Sequence, residues 1–179
     1  MTGDSIKHTL FLLTALFLTF LWVDNHELAN YSLQLTAALV IFLVFANKIF
    51  RIPSFLLTES TISVISVALI TSATGGLSSP FFFLNHFLLF ELSLLLEPQI
   101  SITLTLSLMI FYLFAGQVGP NINNFIILLS FIFITPLAYL TGKIYQKVKK
   151  EKKEIKNLSN KIEVLEENFL PANGSSRPF

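Results

Sequence analysis

With 179 residues, 53% of them hydrophobic, only 13% charged and a mean hydropathy of +0.69, the chain is too apolar for a soluble domain, where about a quarter of residues carry charge. It reads as a membrane protein. The absence of cysteine excludes a disulfide framework, a thiolate metal site and a cysteine nucleophile. The formal net charge of +1 hides an asymmetry: residues 1–142 carry three basic and six acidic side chains, and residues 143–179 carry nine and five. Two parts are therefore expected, a transmembrane domain over 1–142 and a basic tail beyond it.

The first apolar run, about 6–23, follows Lys7 but has no small-residue cleavage site after it, so it predicts a span rather than a signal peptide. The acidic link Asp24-Asn25-His26-Glu27 leads to a second span, about 31–50, ending among Lys48 and Arg51, and a third covers about 55–73. A fourth is expected over 81–97, a fifth over 100–115 and a sixth over 125–141, the last two joined by a turn from Pro120 to Asn124. Basic residues near span ends are retained in the cytoplasm. Lys7, the Lys48/Arg51 loop and the lysine-rich tail all fall on one side if both termini are cytoplasmic, with the Gly75 and Gly116 loops outside. Interfacial aromatics fit this order, with Trp22, Tyr31 and Tyr112 expected at one surface and Tyr139 and Tyr145 at the other.

The stretch from Thr71 to Pro98 carries the densest pattern. Gly75 and Gly76 permit positive φ and a sharp reversal, and Ser79 followed by Pro80 is the pattern of a helix start, with Ser as N-cap and Pro at the first helical position. Pro98 is expected to stop the helix. Inside it lie Asn85, His86 and Glu91, all candidates for a signal or ligand role, and a carboxylate at membrane depth costs about 2.5–3.5 kcal/mol on insertion scales, which makes Glu91 the leading one. His86 lies five residues away, about 140° around the helix, so the two do not form a dyad within one helix. Glu59 in the third span, near the inner surface, is a further candidate; with Ser63 and Ser66 it makes a polar face expected to pack on the fourth span. Pro136 in the sixth span removes one backbone bond and is a candidate hinge. A lone histidine is too little for a metal site, and no metal, cofactor or catalytic residue is expected.

Beyond Gly142 the period changes. Val148, Ile155, Ile162 and Phe169 take position a of a heptad, and Ile144, Glu151, Leu158 and Leu165 take position d. β-branched residues at a with Leu at d favour two parallel strands, and Lys161 at g meets Glu166 at e of a second copy. The first heptad is weaker, since Glu151 holds a d site and Lys147 at g faces Lys152 at e. An amphipathic helix lying on anionic lipid is the competing reading. A coiled-coil signalling helix is thus expected over 143–170 and a flexible tail over 171–179.

Six spans, the words Thr74-Gly75-Gly76 and Ser79-Pro80-Phe81 ahead of the fourth, and a last span running into a short dimeric coil resemble the N-terminal sensory module of multi-span bacterial histidine kinases and diguanylate cyclases. The resemblance implies reception of a signal in the bacterial inner membrane and its passage through the coil to a cytoplasmic output domain or partner kinase. The residues to Phe179 contain no phosphoacceptor-histidine region, ATP-binding glycine boxes or cyclase motif. The expectation is therefore a sensor half or a standalone regulator. The sequence thus predicts an all-α fold, a six-helix transmembrane bundle followed by a cytoplasmic parallel coiled-coil helix. Its partners are the lipid bilayer, a second copy of the chain and an unknown small ligand, such as a small hydrophobic molecule, a lipid or a quinone; nucleic acid is not among them. The alternative is a small-solute transporter or the substrate-binding subunit of an importer, although the first span lacks the small-xxx-small alanine pattern that such subunits use for docking.

Overall fold

Along a run of apolar residues in lipid, a helix satisfies every backbone N–H and C=O without outside partners. The computed structural model, which describes residues 3–50, 55–115 and 122–169, is accordingly all-helical, with no strand among those residues. Seven α-helices occur among them: α1 Gly3–Asp24, α2 His26–Ala29, α3 Ser32–Phe50, α4 Phe55–Ala73, α5 Phe83–Leu95, α6 Pro98–Phe114 and α7 Ile122–Phe169. Arg51, the Gly116 loop, Pro120 and the end segment 171–179 lie outside the described residues.

Among the described residues three helices are long and apolar enough to cross a membrane: Ile6–Asp24, Leu56–Ala73 and the apolar part of α7. The other apolar stretches, Ser32–Ala46, Phe83–Leu95 and Pro98–Phe114, are shorter. The 13 residues of α5 rise roughly 20 Å, less than a hydrocarbon core of about 30 Å. The chain separates into two compact units, Met1–Lys143 and Ile144–Phe179.

In the first unit α4 is central, packing on α1, α3 and α5, while α6 packs on α1 and α5. Helices α1, α4, α5 and α6 thus close a ring, with α3 against the far side of α4. Their shared core holds Leu12 and Leu16 of α1, Val64 and Ala68 of α4, Leu88, Leu89 and Leu92 of α5, and Leu104, Leu108 and Tyr112 of α6. The first part of α7 joins this core through Leu128, Phe131 and Ala138. Polar residues lie inside with them. Ser60, Thr71, Asn85, Ser93 and Ser101 are fully buried. Many such hydroxyls donate to a carbonyl one turn back, as Thr19 does to Ala15 (2.9 Å) and Thr36 to Ser32 (2.8 Å), which lets helices with small polar residues meet closely, although the buried hydroxyls of Thr9, Ser66 and Ser72 find no partner among the described residues.

Local features differ from the sequence reading at the 24–27 link, at Pro98 and at Tyr112. The 24–27 link contains a one-turn helix, α2, because the Asn25 side chain accepts hydrogen bonds from Glu27 N (3.1 Å) and Leu28 N (3.4 Å). Pro98 does not end α5, which finishes at Leu95; Pro98 is instead the first residue of α6, after Glu97 in extended conformation. Tyr112, expected at a membrane surface, is fully buried. Its hydroxyl finds partners inside the ring, and this is what lets a phenol leave the interface.

The second unit is the tail part of α7. Among its described residues every apolar side chain is exposed, from Ile144 (64%) and Ile155 (66%) to Leu165 (55%). Lys147 makes an intrahelical pair with Glu151 at 4.0 Å, both largely exposed.

Candidate functional site

The site forms at the end of the ring where α4 turns into α5. Gly75 (φ 118°) and Gly76 (φ 61°) both take the positive φ that other residues rarely adopt, so the chain leaves α4 and enters a 3-10 turn, Gly76–Ser78, within a few residues. Thr74 Oγ1 donates to Ile70 O (2.7 Å) and meets Ser79 Oγ, tying the two sides of the turn together.

Ser79 does cap the next segment, accepting from Phe81 N (3.0 Å), but Pro80 is not the first residue of an α-helix. Phe82 N bonds to Ser79 O, Leu84 N to Phe81 O and Asn85 N to Phe82 O, all three residues apart, so the first turn is wound tightly and α-helix begins only at Phe83. The cause lies in Phe82 and Asn85. Phe82 is buried with its ring 5.4–5.6 Å from those of His86, Tyr112 and Phe131, and its carbonyl also accepts from Asn85 Nδ2 (3.1 Å).

Asn85, fully buried, is the hub. Tyr112 OH shares its proton between Asn85 Oδ1 (3.2 Å) and Thr71 Oγ1 (3.1 Å), while the Thr71 hydroxyl donates to Val67 O. One residue each from α4, α5 and α6 is thereby joined in a satisfied polar network inside an apolar ring.

His86, on the neighbouring face, points to α7. His86 Nε2 is hydrogen-bonded to Ser130 Oγ at 2.9 Å, and the Ser130 hydroxyl also reaches Ile127 O one turn back. A groove of about 440 Å³ opens beside this pair, with Leu77, Phe82, Phe83, Ile126 and Ile127 as apolar walls and Ser78, Ser79, His86 and Ser130 as polar points. Among the described residues, no acidic or basic side chain apart from the His86 imidazole lines it. Ser78 Oγ donates to Asn124 Oδ1 at its rim (3.0 Å). A second groove of about 420 Å³ between α1 and α6 has walls that are apolar apart from Ser107, and so little to orient a ligand.

Glu91 lies apart from this cluster, six residues further along α5. Ser63 of α4 donates to Glu91 Oε1 at 3.5 Å, and half-buried Glu59 lies one turn from Ser63 on the same helix. Of the α4 face, Ser63 reaches α5, while the buried Ser66 hydroxyl has no partner among the described residues; His86 and Glu91 engage different helices, α7 and α4. Pro136 sits within α7 on an exposed face, next to buried Thr135, whose hydroxyl meets Thr105 of α6 at 2.7 Å. The seam residues Val148, Ile155, Leu158, Ile162 and Leu165 belong to the second unit and are all exposed.

Sequence reasoning overlooked four residues. Thr71 and Ser130 gave no signal among the many membrane hydroxyls, and Tyr112 was assigned to the interface. Gly142 was legible as the second member of a small-xxx-small pair with Ala138. Ser93 of α5 donates to Ala138 O (2.7 Å), and a Cβ at Gly142 would lie 2.0 Å from Ser93 Oγ and 2.5 Å from its carbonyl oxygen, so α5 and α7 touch backbone to backbone there. No known protein family, curated protein or solved structure matches the chain.

Proposed function

We propose that the chain is a membrane-embedded sensory module that passes a ligand or membrane signal through a dimeric coiled coil to a cytoplasmic output of the histidine kinase type. On this reading the three shorter apolar helices complete a six-span bundle, with both termini cytoplasmic in a bacterial inner membrane. The single observation that carries the proposal is the composition of α7: one helix contains Ser130, bonded to His86 in the groove, and the heptad residues Val148 to Leu165. A ligand that competes for the His86–Ser130 bond acts directly on the helix that ends in the seam. The groove's walls, apolar with hydroxyl and imidazole points, suit an uncharged molecule that enters from lipid. The apolar a and d residues, exposed in a single chain, are accounted for by a parallel homodimer.

Transmission is tested by phase. A helix advances about 100° per residue and the seam repeats every seven, so seven residues inserted between Gln146 and Lys147 restore the a/d register, while four shift it as a stutter. With a reporter kinase domain joined in register after Phe169, the seven-residue insert retains regulated output and the four-residue insert locks it on or off. Parent-like behaviour of both inserts would make the tail a tether. Glu91→Gln is expected to alter regulated output at unchanged membrane level; unchanged output from both Gln and Leu at this position would assign Glu91 to packing. Topology is checked separately: cysteines at Asn25 and Ser78 react with an impermeant thiol reagent from outside the cell, and one at Asn160 does not.

A further inference from the structure

The charge of the tail is divided along its length. Residues 143–156 hold seven lysines against two glutamates, whereas residues 157–169 hold one lysine against three glutamates. All seven of those lysines are exposed, as are Ile144, Val148 and Ile155. At about 100° per residue the three apolar side chains fall within an arc of about 40°, with Lys147 on one flank and Lys152 on the other. That arrangement, an apolar stripe edged by lysines, is the one a helix needs to lie in a headgroup layer. The same fourteen residues are the poor part of the coil, where Glu151 fills a d site and Lys147 would face Lys152 of a second copy.

From this we infer that residues 143–156 form a binding surface for anionic phospholipid headgroups, and that only the stretch from Leu158 onward is a dedicated pairing seam. Phosphates pair with the lysines while the apolar stripe enters the boundary between headgroups and acyl chains, which takes Ile144, Val148 and Ile155 out of the pairing seam. A basic helix also attracts nucleic acid, but this one begins at the residue after Gly142, the end of an apolar segment, which keeps it among headgroups at high effective concentration. Each lysine near an anionic surface multiplies binding by roughly fivefold, so five of them outweigh the loss of a few apolar contacts in the coil.

The inference rests on membrane embedding but not on signalling. It is tested on the full chain in nanodiscs, with a nitroxide on Asn157→Cys, the only cysteine present, and a trace of nickel-chelating lipid as the relaxing agent. Replacing phosphatidylcholine discs with discs containing about 30% phosphatidylglycerol should raise the relaxation of the label about fivefold, a change that high salt reverses and that K149Q/K150Q/K152Q/K153Q/K156Q abolishes while circular dichroism shows the helix retained. Equal relaxation in both lipids, or a rise that survives the five substitutions, overturns it. A DNA duplex that protects the label in phosphatidylcholine discs and removes the phosphatidylglycerol effect would reassign the surface to nucleic acid. Failure of the chain to stay with the discs would refute membrane embedding itself, which separates that outcome from the others.

Discussion

The two units present apolar surface in opposite ways. In residues 3–143 large apolar side chains such as Phe87 (65%) and Phe133 (73%) are exposed on several helices, while Asn85, Thr71 and Ser93 are fully buried. In the described part of the tail no side chain is buried, and the exposed apolar residues, Tyr145 and Val164 apart, keep to the a and d positions of a seven-residue period between lysines and glutamates. The same exposure has two causes. Apolar surface spread around a bundle with a polar interior is what lipid as solvent allows, since lipid withdraws the penalty on exposed Phe and places it on unpaired polar groups. Apolar surface gathered mostly on one stripe of a charged helix is instead the pattern of a helix that pairs or lies on a surface.

The contrast breaks most readily inside the ring. Phe131 is fully buried against Phe82 and His86, so Phe131→Ala should cost about 3 kcal/mol of stability, whereas Phe133→Ala, two residues on, should cost almost nothing. Thermal unfolding of the two variants in detergent is the measurement, and equal losses would mean that inside and outside have been misassigned. Next in size is Gly142→Val. Its Cβ meets the Ser93 backbone as well as its hydroxyl, so side-chain movement gives no relief and a loss of about 2 kcal/mol is expected. Valine at Asn160, exposed in the tail, should leave the unfolding of the first unit within about 0.5 kcal/mol of the parent.

Tyr112→Phe should cost about 1 kcal/mol, because Asn85 Oδ1 is left without the phenol proton while the ring still packs. If Asn85→Leu combined with Tyr112→Phe recovers the loss, the network is a satisfied packing device; if it deepens the loss, Asn85 has work beyond Tyr112. The tail variants come last, with no expected effect on bundle stability at all. Cysteines at Leu158 or Leu165 should crosslink two copies, and one at Asn160 should not. Crosslinking of all three alike would remove the parallel seam and leave the stripe to lipid.

Taken alone, the residues determined the apolar, membrane-type composition, the all-helical fold, the reversal at Gly75 and Gly76, and the separation of His86 from Glu91. These depend on local quantities: apolar run length, backbone freedom and the turn per residue of a helix. The tertiary structure decided what pairing decides. Which hydroxyl among many meets Asn85, that Tyr112 leaves the interface, that His86 bonds to Ser130, and that Ser63 joins Glu91 all depend on which helices are neighbours and at what height, and a periodic apolar sequence is compatible with many such arrangements. The tightened first turn after Ser79 has the same origin, since the pull on Phe82 comes from rings on α6 and α7 that the local sequence does not contain.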